Sequence, residues 1–490
     1  MDTGIIIKIL QKVKNMKNFD FIKQSSRFFA GKLVAAGKIN LRKAVLLLVS
    51  LFMANVFADD LGEIAGKYWT AWKKTKPVIG YPKKCTPEQI RERRVRFNKT
   101  VKEFAPHWLE EFAAVDRVMN WEPGSFADII LFGVDYRTSP APHECTSWLV
   151  KPDLTGGKNL LLHKNRDSKS NYLVGMRRQV PGKNSWIGHG NYGNIGTNCG
   201  INSKALAVVM NSGDKTLENN FATLQTVHIA RILLEDCDDA PGAVKLLEKI
   251  IAAGGYSHGS NGSIWFITDP QRSFVVEHNA KYFHAKEIFR GMAIRANAWH
   301  FPEMLAYSLQ EPKNIVNNGR REYAVRKALL HDIVQKGRVI TPPDMAHAAR
   351  ISKIPEAEKC YPLCGRRTVA GTTFVIDTEF PEDLSYASFA FGPPRHTFFI
   401  PVPVTIDSLP EILLNGKFCN EIFKRFQKGE WKKESELQEV ESKMNAVFEK
   451  ALNDARKILR NKKDNAKKDA AAILKKAFTE VWEIAVAAGN

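Results

Sequence analysis

Two extended runs separated by a glycine pair constrain the middle of this chain more than any other feature. Residues 146–151 and 159–163 flank Thr155-Gly156-Gly157-Lys158. Paired glycines supply the positive φ that a tight β-connection needs, so the spacing predicts a hairpin. A hairpin brings its far ends together. Cys145 and the corner Asn165-Arg166-Asp167 then become neighbours. A thiol beside a guanidinium and a carboxylate is a grouping that can activate a nucleophile. A buried cysteine at a strand start, followed by a polar turn, is the plainer reading of the same residues.

The chain has 490 residues, 44% apolar and 25% charged. That is an ordinary globular balance, which excludes wholesale disorder and leaves room for up to about three domains. A formal charge of +20 suggests nucleic acid, but its distribution argues against it. Ten basic and two acidic residues precede Ala44, and sixteen basic against twelve acidic residues fill the last seventy positions. The rest is spread thinly, and no zinc-finger spacing, RNA-recognition motif or long basic run appears. Nucleic acid is therefore not an expected partner.

Arg42-Lys43 precede the apolar run Ala44 to Met53, and Val56-Phe57-Ala58 lead to Asp59-Asp60. This is the pattern of a signal peptide with a long charged leader, too short in its apolar part to span a bilayer. The expectation is an exported protein, periplasmic or extracellular. Membrane contact is then limited to the signal or to a weak surface contact. Export permits disulfides. Seven cysteines are an odd number, so one stays unpaired unless chains cross-link, and Cys145 is that one if it is a nucleophile. Cys360 and Cys364 lack partners at zinc spacing, so no metal site and no cofactor are expected.

Residues 59–144 read as helical and basic. Thr86 is a plausible N-cap before Pro87, and Ile129-Ile130-Leu131-Phe132 is strand-like before a Pro-rich linker. From Cys145 onward, strand groups alternate with helix groups. A Gly/Asn-rich loop is expected over 188–198, and a strand from Ala205 to Met210 that ends at Asn211-Ser212-Gly213. Helices are expected over 223–234 and 243–253, four strands between 263 and 297, a helical block over 303–354, and strands at 369–376 and 385–391. Such grouping argues for layered α+β, sheet against sheet with helices outside. In residues 418–490, Leu437, Val440, Met444, Val447, Ala451, Ala455 and Ile458 stripe one helix, and a second helix follows Asn465. Two amphipathic helices docked on the body or on a partner chain are expected.

Several of these residues together resemble a known family. Cys145-Thr146-Ser147, His163-Lys164-Asn165-Arg166-Asp167 and the run Gly200 to Asn211 resemble the linear-amide branch of the N-terminal-nucleophile hydrolases. That branch includes choloylglycine hydrolases, penicillin V acylase, isopenicillin N acyltransferase, acid ceramidase and N-acylethanolamine acid amidase. Ile294 to Phe301 resembles its Thr-Asn-His-Phe element, and Arg367-Thr368-Val369-Ala370 its C-terminal strand entry. The resemblance covers about residues 125–404. There are departures: Lys164 stands where many members carry Arg, Arg166 fills a variable slot, Ala205 replaces Gly, and Ala296 replaces Thr.

The resemblance implies a four-layer αββα sandwich over 145–417. Residues 1–58 would be the signal, 59–144 a helical propeptide that stays docked as a small subunit, and 418–490 a helical extension. It implies a zymogen that cuts itself between Glu144 and Cys145. The freed α-amine, with a reference pKa of about 7.7–8.0, can take the proton of a thiol near about 8.5. Asp167 would orient the amine, Arg166 or Lys164 would favour the thiolate, and Asn211 and Asn297 would face the oxyanion. The implied activity is a cysteine amidase or acyltransferase that breaks a linear C–N amide bond through a thioester on Cys145. A non-catalytic binding or scaffold protein on the same fold is the alternative. So is a Cys–His hydrolase without autocleavage that uses one of His143, His163, His189, His258, His278 or His300.

Overall fold

The structure is a computed structural model that describes residues 86–132, 145–168, 173–191, 194–218, 223–257, 261–353, 362–429, 433–461 and 464–489. The signal segment, Glu144, His143, His258, Cys85 and Cys360 lie outside these residues. The chain divides into two compact units. Among the described residues, one holds Glu110–Phe126 and the other holds 86–109 and everything from Ala127 on. In the first unit the Asp116 carboxylate accepts the N–H groups of Gly124 (2.7 Å) and Phe126 (2.8 Å). Phe112 meets Phe126 edge to face.

The second unit is built on thirteen strands. They are β1 (Thr146–Val150), β2 (Asn159–Asp167), β3 (Leu173–Arg178), β4 (Trp186–Asn191), β5 (Cys199–Asn202), β6 (Ala207–Lys215), β7 (Asn261–Thr268), β8 (Ser273–His278), β9 (Phe283–Glu287), β10 (Met292–Arg295), β11 (Thr368–Asp377), β12 (Tyr386–Ala390) and β13 (Ile400–Pro403). One antiparallel sheet runs β10-β1-β2-β11-β12-β13, the other β3 to β9 in sequence order. Leu149, Leu160 and Leu162 of the first sheet share a core with Ile187, Ile201, Val209 and Phe266 of the second. Helices Pro312–Arg326 and Pro342–Ala349 cover the outer face of the first sheet, and helices Thr226–Asp236 and Ala240–Ala252 that of the second. The four layers are those of the αββα sandwich.

The hairpin forms as its glycines require. Gly156 and Gly157 hold φ of 71° and 79°, and Thr146 pairs with Asn165 and Ser147 with Lys164. Three expectations need correction. Ile129–Phe132 is not a strand but the end of helix Ser125–Phe132, because four apolar residues are too few for periodicity to decide. Much of 188–198 is strand β4 rather than loop. Gly188 is there because a Cβ would collide with the Cys199 carbonyl, a close approach and not a turn. Strand β6 runs on to Lys215, so Asn211 lies inside it and not at its end.

Thr86 caps helix Pro87–Phe104 through a reciprocal pair with Gln89. The chain after this helix anchors on Glu235. That carboxylate accepts from Arg231 Nε (2.7 Å), His107 Nε2 (2.9 Å) and Trp108 Nε1 (3.3 Å). Burial works against the Glu235 carboxylate, but Arg231 and His107 outweigh it and hold its pKa down at about 2.

At the other end, helices Glu434–Arg460 and Ala466–Gly489 pair through Leu437, Met444, Phe448 and Ala455 against Leu474, Phe478 and Val481, and pack on β13. They dock on the body. Glu441 enters the protein to meet Arg350 (3.0 Å) and the N–H of Phe399 (2.7 Å).

Ala205, in the turn between β5 and β6, has φ 58°. The left-handed region costs an L-residue roughly 1–2 kcal/mol, a cost that glycine escapes. Ala205→Gly is expected to raise the midpoint of denaturant unfolding, with a gain of about 1 kcal/mol.

Candidate active site

Alternation along β1 and β2 decides which groups meet. Leu149, Leu160 and Leu162 face the inter-sheet core, while Trp148, Val150 and Leu161 face the outer helices. With a two-residue period, Cys145, Ser147, Lys164 and Arg166 face the gap between the sheets, and His163, Asn165 and Asp167 face the other side. The pairing of Thr146 with Asn165 makes Arg166 the cross-strand neighbour of Cys145. Asp167 ends β2, buried, where its charge adds to the burial that pushes the Cys364 thiol up to about 12.

Asn211 arrives from the opposite sheet. Its Oδ1 accepts from Lys164 Nζ (2.9 Å) and Ser147 Oγ (2.8 Å), and its Nδ2 donates to the carbonyls of Arg295 and Ala296 (both 3.1 Å). An ammonium only donates and a carbonyl only accepts, so the amide orientation is fixed. Both amide hydrogens are engaged. In this arrangement Asn211 ties the two sheets to the 295–296 main chain, and its side chain has no hydrogen left for an oxyanion. Lys164 also donates to the Met210 carbonyl, and no carboxylate pairs with it among the described residues.

Asn297 follows β10. Its Nδ2 donates to the Ser212 carbonyl (2.8 Å), leaving a second N–H, and its Oδ1 accepts from Arg321 Nη2 (3.1 Å). It is not a helix cap. The loop that carries it is held by carboxylates from three elements. Ala296 N–H donates to Glu322 (2.9 Å), Trp299 N–H to Asp214 (3.3 Å), and His300 and Phe301 N–H to Glu277 (2.8 and 2.9 Å).

Arg321 links the two halves of the site. The guanidinium that reaches Asn297 also donates through Nη1 to the Cys145 carbonyl (3.1 Å) and to Thr146 Oγ1 (3.2 Å), and through Nη2 to Asn318. It is 2% exposed. Sequence reading passed over Arg321 and Ser147. The available signal was helical spacing: Asn318, Arg321, Glu322 and Val325 share the buried face of helix Pro312–Arg326.

The described histidines are mostly committed elsewhere. His163 stacks on Trp148, and burial drives its pKa down to about 3. The Asn165 amide donates to the Ala349 and Leu363 carbonyls, so its oxygen accepts from His163 Nε2 (3.0 Å) while His163 Nδ1 meets Thr373 (2.7 Å). His278 accepts from Trp265 (2.7 Å), and His300 lies 3.2 Å from Glu322. The five described cysteines, Cys145, Cys199, Cys237, Cys364 and Cys419, are all free.

A two-sheet sandwich with a buried thiol at a strand start, cations beside it and an amide donor across from it defines a class of acyl-transfer site. Residues 154–325 match the acyl-coenzyme A:6-aminopenicillanic acid acyl-transferase family. The chain is thereby related to the N-terminal-nucleophile hydrolases of the linear-amide branch, a group of amide hydrolases and acyltransferases. Among solved structures, a mutant of the conjugated bile acid hydrolase from Clostridium perfringens is 12% identical. The match covers 53% of this chain and 92% of that one, with a TM-score of 0.35. The Caenorhabditis elegans ortholog of N-acylethanolamine-hydrolyzing acid amidase is also 12% identical, over 47% and 92%, with a TM-score of 0.31. No curated protein matches in sequence.

Burial lifts the Asp214 carboxyl to about 6, against the ordinary 3.8, despite the hydrogen bonds from Ser308 and Trp299. Between those values the folded protein keeps a proton that the unfolded chain has lost. The contribution is therefore complete below the ordinary value and is lost as pH rises through about 6. The span corresponds to at most about 3 kcal/mol. Denaturant unfolding of wild type and Asp214→Asn across pH 3.5 to 7 is expected to show this decline in the wild type alone.

Proposed function

We propose that the chain is an exported cysteine amidase or acyltransferase that becomes active by cleavage between Glu144 and Cys145. The observation that carries this reading is the Arg321 guanidinium, which grips the Cys145 carbonyl and the Asn297 amide oxygen at once. Nucleophile residue and amide donor are thus held in one frame, as acyl transfer requires.

Cleavage gives Cys145 an α-amine, which takes the thiol proton. The thiolate attacks the amide carbonyl carbon. The oxyanion that forms accepts from the remaining N–H of Asn297 and lies in the field of Lys164. Lys164 and Arg321 are both buried cations without a carboxylate partner among the described residues, so negative charge that develops nearby relieves an existing electrostatic cost. The tetrahedral centre collapses, the C–N bond breaks, and the amine leaves with the proton held by the α-amine. A thioester remains on Cys145, and water or a second amine resolves it through the same base. Asp167 orients the α-amine from the end of β2.

The N-terminal piece is expected to stay attached after cleavage, because His107 and Trp108 bind the buried Glu235 and Arg231 lies over the Trp108 ring at 4.8 Å. No described helix is long and apolar enough to cross a membrane.

Protein expressed from Asp59 is expected to yield a fragment whose first residue is Cys145, by intact mass and N-terminal sequencing. Cys145→Ala should stay whole. If the wild type also stays whole at every pH tried, the reading loses its base. In processed protein, Asn297→Ala should lower turnover of an activated amide by about 10²–10³-fold, the usual effect of losing one oxyanion donor.

A further inference from the structure

Across from Cys145, the Arg166 guanidinium spans the inter-sheet gap to Asn191 Oδ1 at 2.7 Å. His189, two residues before Asn191 on β4, shares that face, as does Ile187 in the inter-sheet core. His189 is 1% exposed and meets Phe389 edge-on, and neither of its ring nitrogens has a hydrogen-bond partner. Asn198, whose main-chain N–H bonds to the His189 carbonyl (2.9 Å), also carries a buried, unpartnered amide nitrogen. Lys164 stands two residues from Arg166 on the same face of β2. Native interiors seldom leave such atoms unpaired, and fewer still leave several beside two cations.

We propose that Arg166, His189 and Asn198 form a subsite for a carboxylate carried by the amide substrate, a few bonds from the carbonyl that Cys145 attacks. The inference rests on the reading of Cys145 as nucleophile. A planar carboxylate suits a guanidinium fork and accepts from an imidazole N–H and an amide N–H together. An alkyl group would leave all three donors unpaired. An ammonium would be repelled by Arg166 and Lys164. Burial, reinforced by these two cations, keeps His189 neutral, with one donor nitrogen and one acceptor. The substrate class is a monoamide of a dicarboxylic acid, if the charge is on the acyl side, or an N-acyl amino acid, if it is on the amine side.

Calorimetry with the full processed protein tests this on two matched pairs of amides. N-phenylglutaramic acid is compared with N-phenylpentanamide, and N-pentanoyl-4-aminobutanoate with N-pentylpentanamide. One acid should bind on the order of 30-fold more tightly than its neutral twin, as a charge-assisted pair implies. Which acid does so identifies the side of the amide that carries the charge. In Arg166→Met and His189→Leu the ratio should fall below about fivefold. Each ratio is measured within one preparation, so the fraction folded does not enter it. Equal binding of acids and twins in the wild type, or ratios unchanged in both variants, overturns the subsite. The mass of the protein after exposure to p-nitrophenyl pentanoate reports the nucleophile separately. Acylated Cys145 with equal binding removes the subsite and keeps the nucleophile. Selective binding with Cys145 never acylated keeps the subsite and removes the nucleophile.

Discussion

A buried guanidinium is costly unless its N–H groups all find oxygens, and here that need organises three layers of the fold. Arg321 comes from an outer helix, Cys145 and Thr146 from the first residues of a central strand, and Asn297 from a loop beyond the sheet edge. None of these elements neighbours another in sequence. What joins them is one planar fork with donors at fixed angles, which a lysine at the same position could not reproduce.

The second joint is the Lys164–Asn211–Ser147 cluster. It crosses between sheets that otherwise meet through leucine, isoleucine and valine. An apolar interface tolerates small slips. A hydrogen-bonded one with every partner committed permits a single register, and the Arg295 and Ala296 carbonyls extend that register to the loop bearing Asn297.

How much of this was legible follows from the range of each interaction. The hairpin was readable because turn chemistry and alternation are local, and the C-terminal helices because their stripe persists over many turns. The corner Lys164 to Asp167 was readable because the hairpin delivers it to Cys145. Asn211 was placed at a strand end because Asn-Ser-Gly is turn-like. In fact Gly213 is in the strand because a Cβ there would stand 2.6 Å from Trp299 Nε1, a contact that only tertiary structure reveals. The same applies to Gly188. Arg321 escaped notice because nothing nearby marks one arginine of Arg320-Arg321 as the buried one. Its partners lie far off in the chain.

The Glu441–Arg350 contact has a consequence for the order of events in synthesis. Arg350 follows Ala349, whose carbonyl holds the Asn165 amide, which in turn fixes His163 against β11. Strand β2 is therefore braced at one end by a helix that is among the last parts of the chain to leave the ribosome. The cysteine is made early and its surroundings are finished late. A bond that must not break in a half-built protein is kept apart from its chemistry by the length of chain still to be translated.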